Sequence, residues 1–302
     1  MSEAGTRVVV LFNAPALPPE HPDSRSEADV VGVAQGVAEV LCQRGFQAVP
    51  LPAAPPVEEL ATRLAGAKPD LVFNLVEGFA GSSGGEAHLT SLIELFGYPY
   101  TGCPPEAQAL CRRKAATKAL LRGYGLPTAP FTVARADRPL PDLEGAGPWI
   151  VKPESEDASL GIDQHSVVTE PAEVAERVRQ LGLAYGPRVL IEAYLPGPEY
   201  NVGILGLPHP QALAIAEVLY RVEPGAWPIL TYAAKWNEGS AEDRASPIGC
   251  PARIAPEIAA RLETLAVRAF EATGCRDYAR VDFRLDAQGE PMILEVNPNP
   301  DI

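Results

Sequence analysis

Two spacings of apolar residues take turns along the first hundred positions. Arg7 to Phe12 (RVVVLF) is an unbroken apolar run, the pattern of a strand buried on both faces. Glu27 to Arg44 repeats apolar residues at helical spacing and stops at Gly45, which predicts a helix closed by a glycine. Phe46 to Leu51 predicts a strand, Val57 to Leu64 a helix, Asp70 to Leu75 a third strand, and Glu86 to Phe96 a helix after a Gly/Ser loop at Gly78 to Gly85. Strands alternating with helices predict an open α/β sheet with right-handed connections. Ligands of such sheets lie beyond the strand carboxyl ends, where Asn13 and Glu77 fall. The first strand continues as Phe12-Asn-Ala-Pro-Ala and not as GxGxxG, which argues against a dinucleotide-dependent oxidoreductase.

The pattern changes near Tyr100 to Pro105 (YTGCPP), which sets the end of a first domain, residues 1–105. Arg112 to Tyr124 then predicts a basic helix bearing Arg112, Arg113, Lys114, Lys118 and Arg122. Strands are predicted at Phe131 to Val133, at Trp149 to Lys152 and at Val189 to Glu192, with a helix from Pro171 to Leu181. Tyr200 to Leu205 and Ala212 to Leu219 predict paired antiparallel strands, and Pro256 to Ala272 a long helix. Asn237 to Ser246 (NEGSAEDRAS) is polar enough for a lid that orders with ligand.

The last segment carries the most chemistry. Arg280-Val-Asp282-Phe-Arg-Leu and Glu290-Pro-Met-Ile-Leu-Glu295-Val-Asn297 predict two strands around the turn Asp286 to Gly289. With that turn Arg280 lies opposite Glu295. Arg280, Asp282, Glu295 and Asn297 share one face, and Val281, Phe283, Leu294 and Val296 the other. Two carboxylates, an amide oxygen and a guanidinium suit magnesium and polyphosphate, because Mg²⁺ takes hard oxygen ligands and shares them with phosphates. The competing reading is a hairpin with a solvated polar face. Lys152 ends an apolar strand and needs either an anionic partner such as phosphate or an escape to water. Ser155 to Ile162 is a loop whose amides and hydroxyl suit phosphates, although it does not match GxxxxGK[ST]. Glu192 to Leu195 is either a nucleotide-reading crossover or a plain linker.

Composition narrows the partners. The chain has 302 residues, 46% of them hydrophobic, enough for more than one domain. A formal net charge of -14 disfavours nucleic acid and anionic membranes, so any phosphate must be met by specific Lys and Arg residues. Five cysteines without a CxxC pair suggest reduced thiols in the cytoplasm. No secretory leader or bilayer-spanning run is expected from the sequence.

Taken in order, several segments resemble the ATP-grasp superfamily and, within it, the D-alanine–D-alanine ligase family. They are Tyr100-Thr-Gly102, Lys114-Ala-Ala-Thr-Lys118, Gly125-Leu-Pro-Thr, Trp149-Ile-Val-Lys-Pro153, Ser159-Leu-Gly-Ile and Val189-Leu-Ile-Glu-Ala-Tyr-Leu-Pro-Gly-Pro-Glu199. Ala234-Lys-Trp236, Cys250-Pro-Ala252, Arg280-Val-Asp282 and Glu295-Val-Asn297 continue the series. The resemblance covers nearly all of the chain from Tyr98 onward. It implies an N-terminal α/β substrate-binding domain and two α+β lobes, residues 106–191 and 192–302, that clamp ATP between antiparallel sheets.

The activity it implies is amide-bond formation: ATP phosphorylates a carboxylate, and an amine displaces the phosphate. By motif position Lys114 and Lys152 bind phosphates, Ser159 and nearby amides close over the triphosphate, Glu192 and Leu195 frame the adenine, and Glu199 holds the ribose. Lys235 meets the γ-phosphate and Arg280 the developing oxyanion. Asp282, Glu295 and Asn297 hold two Mg²⁺ ions, with Mn²⁺ a workable substitute, and Glu27 holds the ammonium of the first substrate. Small-molecule carboxylate and amine substrates and a homodimer are the implied partners.

This sequence departs from the family pattern on the substrate side. Ala158 stands for one of two adjacent serines, Trp236 for a tyrosine, Glu77 for a histidine and Asp301 for a glycine. Ala158 and Trp236 are expected to break a hydrogen-bonded link between loop and substrate site. The alternative is a non-catalytic, regulatory nucleotide-binding protein that keeps the fold, and it predicts a damaged metal set.

Overall fold

A strand with apolar side chains on both faces needs cover on both sides, and β1 (Arg7–Asn13) receives it. The computed structural model describes residues 5–18 and 24–300, except for the side chains of 25–27. It forms two units, Met1–Ala109 with Asn299–Ile302, and Leu110–Pro298. In the first, α1 (Ser24–Gln43), β2 (Gln47–Ala53), α2 (Val57–Ala67), β3 (Leu71–Leu75) and α3 (Gly85–Leu95) follow β1. The sheet order is β2-β1-β3, with both pairs parallel. Val8, Val10 and Phe12 pack with Val30, Ala34 and Ala38 of α1, while Val9 and Leu11 pack with Leu60 and Leu64 of α2 and Leu89 and Ile93 of α3. At the strand ends the Asn13 side chain accepts from the Glu77 amide at 3.1 Å, and Asn74 donates to Thr90 at 3.1 Å.

The basic helix predicted over Arg112 to Tyr124 is α5 (Lys114–Gly123), which starts two residues later; a short α4 (Pro105–Cys111), not predicted, precedes it. Arg113 between them is non-helical (φ −90°, ψ 83°), and the Lys114 amide turns to the Glu154 carbonyl at 3.2 Å. Next come β4 (Phe131–Arg135), β5 (Trp149–Pro153), β6 (Val167–Val168), α6 (Pro171–Tyr185) and β7 (Arg188–Ala193). They form an antiparallel sheet of order β4-β7-β5-β6. Trp149, Val151, Val189 and Ile191 pack with Val174, Val178 and Leu181 of α6. Alternation then turns Lys152 and Glu192 to the other face.

The larger sheet begins with β8 (Glu199–Leu205), β9 (Gln211–Ala212) and β10 (Ala216–Val218). The single strand expected over Ala212 to Leu219 is thus two short ones, both paired to β8. α7 (Tyr232–Trp236), α8 (Ala241–Ala245), β11 (Ile248–Gly249), α9 (Pro256–Ala272), β12 (Tyr278–Leu285) and β13 (Pro291–Asn297) complete the unit. The order is β11-β10-β8-β12-β13, with β9 also on β8. Leu262, Leu265, Ala266 and Phe270 of α9 cover Val202, Ile204, Val281, Phe283 and Ile293. In the polar stretch at 237–246 α8 forms, capped by the Ser240 hydroxyl, which accepts from the Asp243 amide at 3.0 Å.

The register of the closing hairpin corrects the sequence reading. Asp286 pairs with Glu290 around a turn in which Gly289 has φ +82°, and Leu285 lies opposite Pro291. A β-bulge then shifts the register between Asp282 and Phe283, so that Asp282 faces Glu295 and Arg280 faces Asn297. Leu294 is the extra residue. Ile293, not Leu294, joins Val281, Phe283 and Val296 in the core.

Candidate active site

The bulge lets β13 bury Ile293 and Val296 and still present Glu295 and Asn297 beside Arg280 and Asp282. The Arg280 guanidinium grips Asp282 with two bonds, Nε to Oδ1 at 2.8 Å and Nη2 to Oδ2 at 2.9 Å. Asn201, opposite Asp282 on β8, donates to Oδ1 at 2.8 Å. Asp282 is buried, and each carboxylate oxygen carries two lone pairs, so acceptor capacity remains on Oδ2. Among the described residues no three His, Cys, Asp or Glu side chains gather as a metal cluster. Two carboxylates and an amide still fit Mg²⁺, which keeps water and phosphate oxygens in the rest of its shell.

Cations surround the Glu295 carboxylate. Desolvation pushes its pKa up, but Lys114, Lys152, Lys235 and Arg280 outweigh this and bring it down to about 2. Lys114 Nζ lies 3.5 Å from Glu295 Oε2, 2.8 Å from Asp157 Oδ1 and 2.5 Å from the Glu156 carbonyl oxygen. Burial lowers the Lys114 pKa, and Asp157 and Glu295 more than reverse it, so this buried amine stays charged. An Asp157 carboxylate on Lys114 shows that the ammonium can receive an anionic oxygen from the loop side.

A second cluster lies on the face of β5 and β7 turned from α6. Glu192 gives Oε1 to Lys118 at 2.5 Å and Oε2 to Lys152 at 2.6 Å. Burial pushes the Glu192 pKa up, but the two lysines hold it below the usual range. Lys152 therefore has an ionic partner inside the protein and does not run out to water. Lys118 also donates to Thr128 Oγ1 at 2.7 Å and to the Ile293 carbonyl at 3.2 Å, which joins the two sheets of this unit.

Leu195 is buried beyond β7, and Glu199 is buried at the start of β8. Tyr220 donates to Glu199 Oε2 at 2.7 Å, and Arg284 Nε is 3.9 Å from the same oxygen. Burial raises the Glu199 pKa, opposed by Arg284. Lys235 is exposed on α7 and contributes to the positive field at Glu295.

Ser159 and Ala158 both have left-handed backbone, with φ of +59° and +54°, a costly conformation for side-chain-bearing residues. The loop that carries them is tied down. The Trp236 indole donates to the Ala158 carbonyl at 3.0 Å, and the Tyr232 amide to the Ile162 carbonyl at 3.0 Å. The loop thus stays joined to α7 through a backbone acceptor.

The structure brings Lys114, Lys152, Glu192, Leu195, Glu199, Lys235, Ser159, Arg280, Asp282, Glu295 and Asn297 into one unit. Glu27 lies in α1 of the other unit; its side chain, like Asp301, is outside the described residues. The sequence reading missed Lys118, Asn201, Tyr220 and Arg284 as participants. Lys118, four positions after Lys114 on one helix face, was the detectable one; Asn201 and Arg284 act across strand pairings and Tyr220 from the chain just beyond β10.

The model of the D-ala D-ala ligase C-terminus matches residues 120–302. An uncharacterized protein of Sinorhizobium fredii is 36% identical over 230 residues, which are 76% of this chain and 65% of that protein. The D-alanine–D-alanine ligase of Halorhodospira halophila is 40% identical over 233 residues, 76% of this chain and 69% of the relative. That of Rhodospirillum rubrum is 30% identical over 270 residues, 89% and 82% of the two chains. The crystal structure of D-alanine–D-alanine ligase from Bacillus anthracis complexed with ATP superposes with a TM-score of 0.74 at 19% identity, covering 98% of this chain and 87% of that one.

Proposed function

Because the chain belongs to the D-alanine–D-alanine ligase family of ATP-dependent carboxylate–amine ligases, we propose that it joins an amino acid or related carboxylate to an amine through an acyl phosphate. The observation that carries this reading is the pairing of Asp282 with Glu295 inside a ring of Lys114, Lys152, Lys235 and Arg280. Such a ring neutralises a triphosphate in a protein whose net charge is -14.

Lys114 and Lys152 bind phosphates, and Lys235 meets the γ-phosphate. Glu192 and Leu195 border the adenine, and Glu199 takes the ribose. The lobes 106–191 and 192–302 close on the nucleotide, with Ser159 and its loop as cover. Mg²⁺, held by Asp282, Glu295 and Asn297, supplies charge neutralisation at the phosphates. The substrate carboxylate attacks the γ-phosphorus and ADP leaves. The amine nitrogen then attacks the acyl carbon, phosphate leaves with the C–O bond, and the amine gives up a proton. Arg280, fixed by its two bonds to Asp282, faces the oxyanion of that second step. Glu27 takes the ammonium group of the first substrate.

Nucleotide-side groups match the family, while Ala158, Trp236 and Glu77 depart from it on the substrate side. The reading therefore extends to a pair other than two D-alanines. It also carries a cytoplasmic homodimer that acts on small molecules. Nothing in the site favours the regulatory alternative, since the Asp282, Glu295 and Asn297 set is whole.

The test is ADP and phosphate release from ATP and Mg²⁺ across D- and L-amino-acid pairs. At least one pair should raise ADP above the substrate-free background, and Glu295→Gln should abolish that rise. A flat response across the whole screen would overturn the ligase reading.

A further inference from the structure

Glu199 is buried, yet its two oxygens are treated differently. Oε2 receives the Tyr220 hydroxyl at 2.7 Å and stands 3.9 Å from Arg284 Nε. Oε1 has no hydrogen bond among the described residues. Arg284 is itself fixed: it pairs with Glu199 in the strand register, and it lies two residues beyond Asp282 on the same face of β12. Its Nε donates to the Gly197 carbonyl at 3.2 Å and its Nη2 to the Pro228 carbonyl at 2.6 Å. The guanidinium lies over the rings of Tyr194 and Tyr220, at 5.1 and 5.5 Å from their centres. A terminal carboxylate torsion is broad and two-fold, so a lone glutamate presents either oxygen in many directions. Anchoring one oxygen removes that freedom and aims the other.

Resting on the ribose assignment above, we infer that Tyr220 and Arg284 are positioning residues that commit Oε2 of Glu199 and leave Oε1 for a ribose hydroxyl of the nucleotide. Recognition of a hydroxyl by a fixed acceptor discriminates sharply against a ligand that lacks it, because the buried acceptor is then unpaired. A carboxylate free to turn away loses that penalty. Tyr220 thus affects the choice among nucleotides without touching one.

The test is equilibrium binding, by calorimetry with Mg²⁺, of ATP, 2′-deoxy-ATP and 3′-deoxy-ATP to the full chain. The parent protein should prefer ATP over at least one deoxynucleotide by about tenfold or more, the size expected for a hydrogen bond to a charged group. Glu199→Gln should reduce that ratio to about twofold, since only a neutral acceptor remains. Tyr220→Phe, which keeps the ring, should reduce it several-fold, and Arg284→Gln likewise, with thermal melts confirming folded protein. If Glu199→Gln lowers the ratio and Tyr220→Phe does not, the positioning inference is wrong and the ribose assignment stands. Equal weakening of all three nucleotides by Tyr220→Phe means a structural role only and overturns the inference as well. If Glu199→Gln leaves the ratio intact, the ribose assignment itself fails and the inference falls with it.

Discussion

Replacing Lys118 by Met tests whether the two sheets of the larger unit are joined as described. Lys118 and Glu192 are each 1% exposed, and the three ammonium protons have three acceptors, Glu192 Oε1, Thr128 Oγ1 and the Ile293 carbonyl. Removing one member of a buried ion pair costs about 3–5 kcal/mol, because the partner is left charged and dry. Glu192 would keep Lys152 on Oε2 at 2.6 Å, and Thr128 would keep its own bond to the Ile293 carbonyl at 2.9 Å. Both place Lys118→Met at the lower end, about 3 kcal/mol. For a unit the size of Leu110–Pro298, roughly 2–4 °C accompanies each kcal/mol, so Tm should fall by about 6–12 °C. Adding Glu192→Gln should deepen the loss, since Lys152 then loses its own buried ionic partner. Scanning calorimetry of the single and double variants gives both numbers. A fall of less than about 2 °C for Lys118→Met would refute the buried junction.

Three further outcomes follow from the site. Trp236→Phe removes the indole donor to Ala158, so hydrogen exchange at the neighbouring Tyr232 amide should quicken several-fold, whereas Ala158→Ser should leave it unchanged because the acceptor is backbone. Asp157→Asn removes an exposed carboxylate from Lys114, and ATP should bind up to about fivefold more tightly by titration calorimetry, the scale of an exposed ion pair; unchanged or weaker binding counts against phosphate at Lys114. The Glu295 pKa falls from 4.5 to about 2 on folding, so its contribution is complete above pH 4.5 and is lost as pH drops towards 2. Urea midpoints of the nucleotide-free protein from pH 6 to 3 should therefore fall less steeply for Glu295→Gln than for the parent protein.

What could be seen in the sequence was local or periodic. The run RVVVLF announced a doubly covered strand, and Pro256 to Ala272 announced α9 with the bounds observed. The four polar positions of the closing hairpin declared themselves by alternation, because period two survives any register that keeps the faces. The register itself did not, since the bulge at Leu294 has no glycine or proline to mark it. The start of α5 at Lys114 rather than Arg112 was hidden for a similar reason: Arg112 and Arg113 both suit a helix, and the Lys114 amide bonds to Glu154 instead. Tyr220 and Arg284 could not be paired with Glu199 from sequence, because the β10–β8 and β12–β8 pairings bring them in from positions 21 and 85 residues away, Tyr220 just past the end of β10. Trp236 was read through its side-chain chemistry alone, so the backbone carbonyl of Ala158 went unseen as its acceptor.

The slip at Leu294 has a consequence for how this hairpin tolerates change in length. Between Asp286 and Gly289 the loop meets only solvent-side geometry, and an added residue there lengthens the tip. Removing Leu294, the extra residue, would leave Ile293, Glu295, Val296 and Asn297 on their present faces, whereas a residue added between Glu295 and Val296 would turn Val296 out among the lysines and Asn297 into the aliphatic layer under α9. Interior packing and chemistry are phase-locked from Glu295 to Asn297, so neither can drift in length there without wrecking the other.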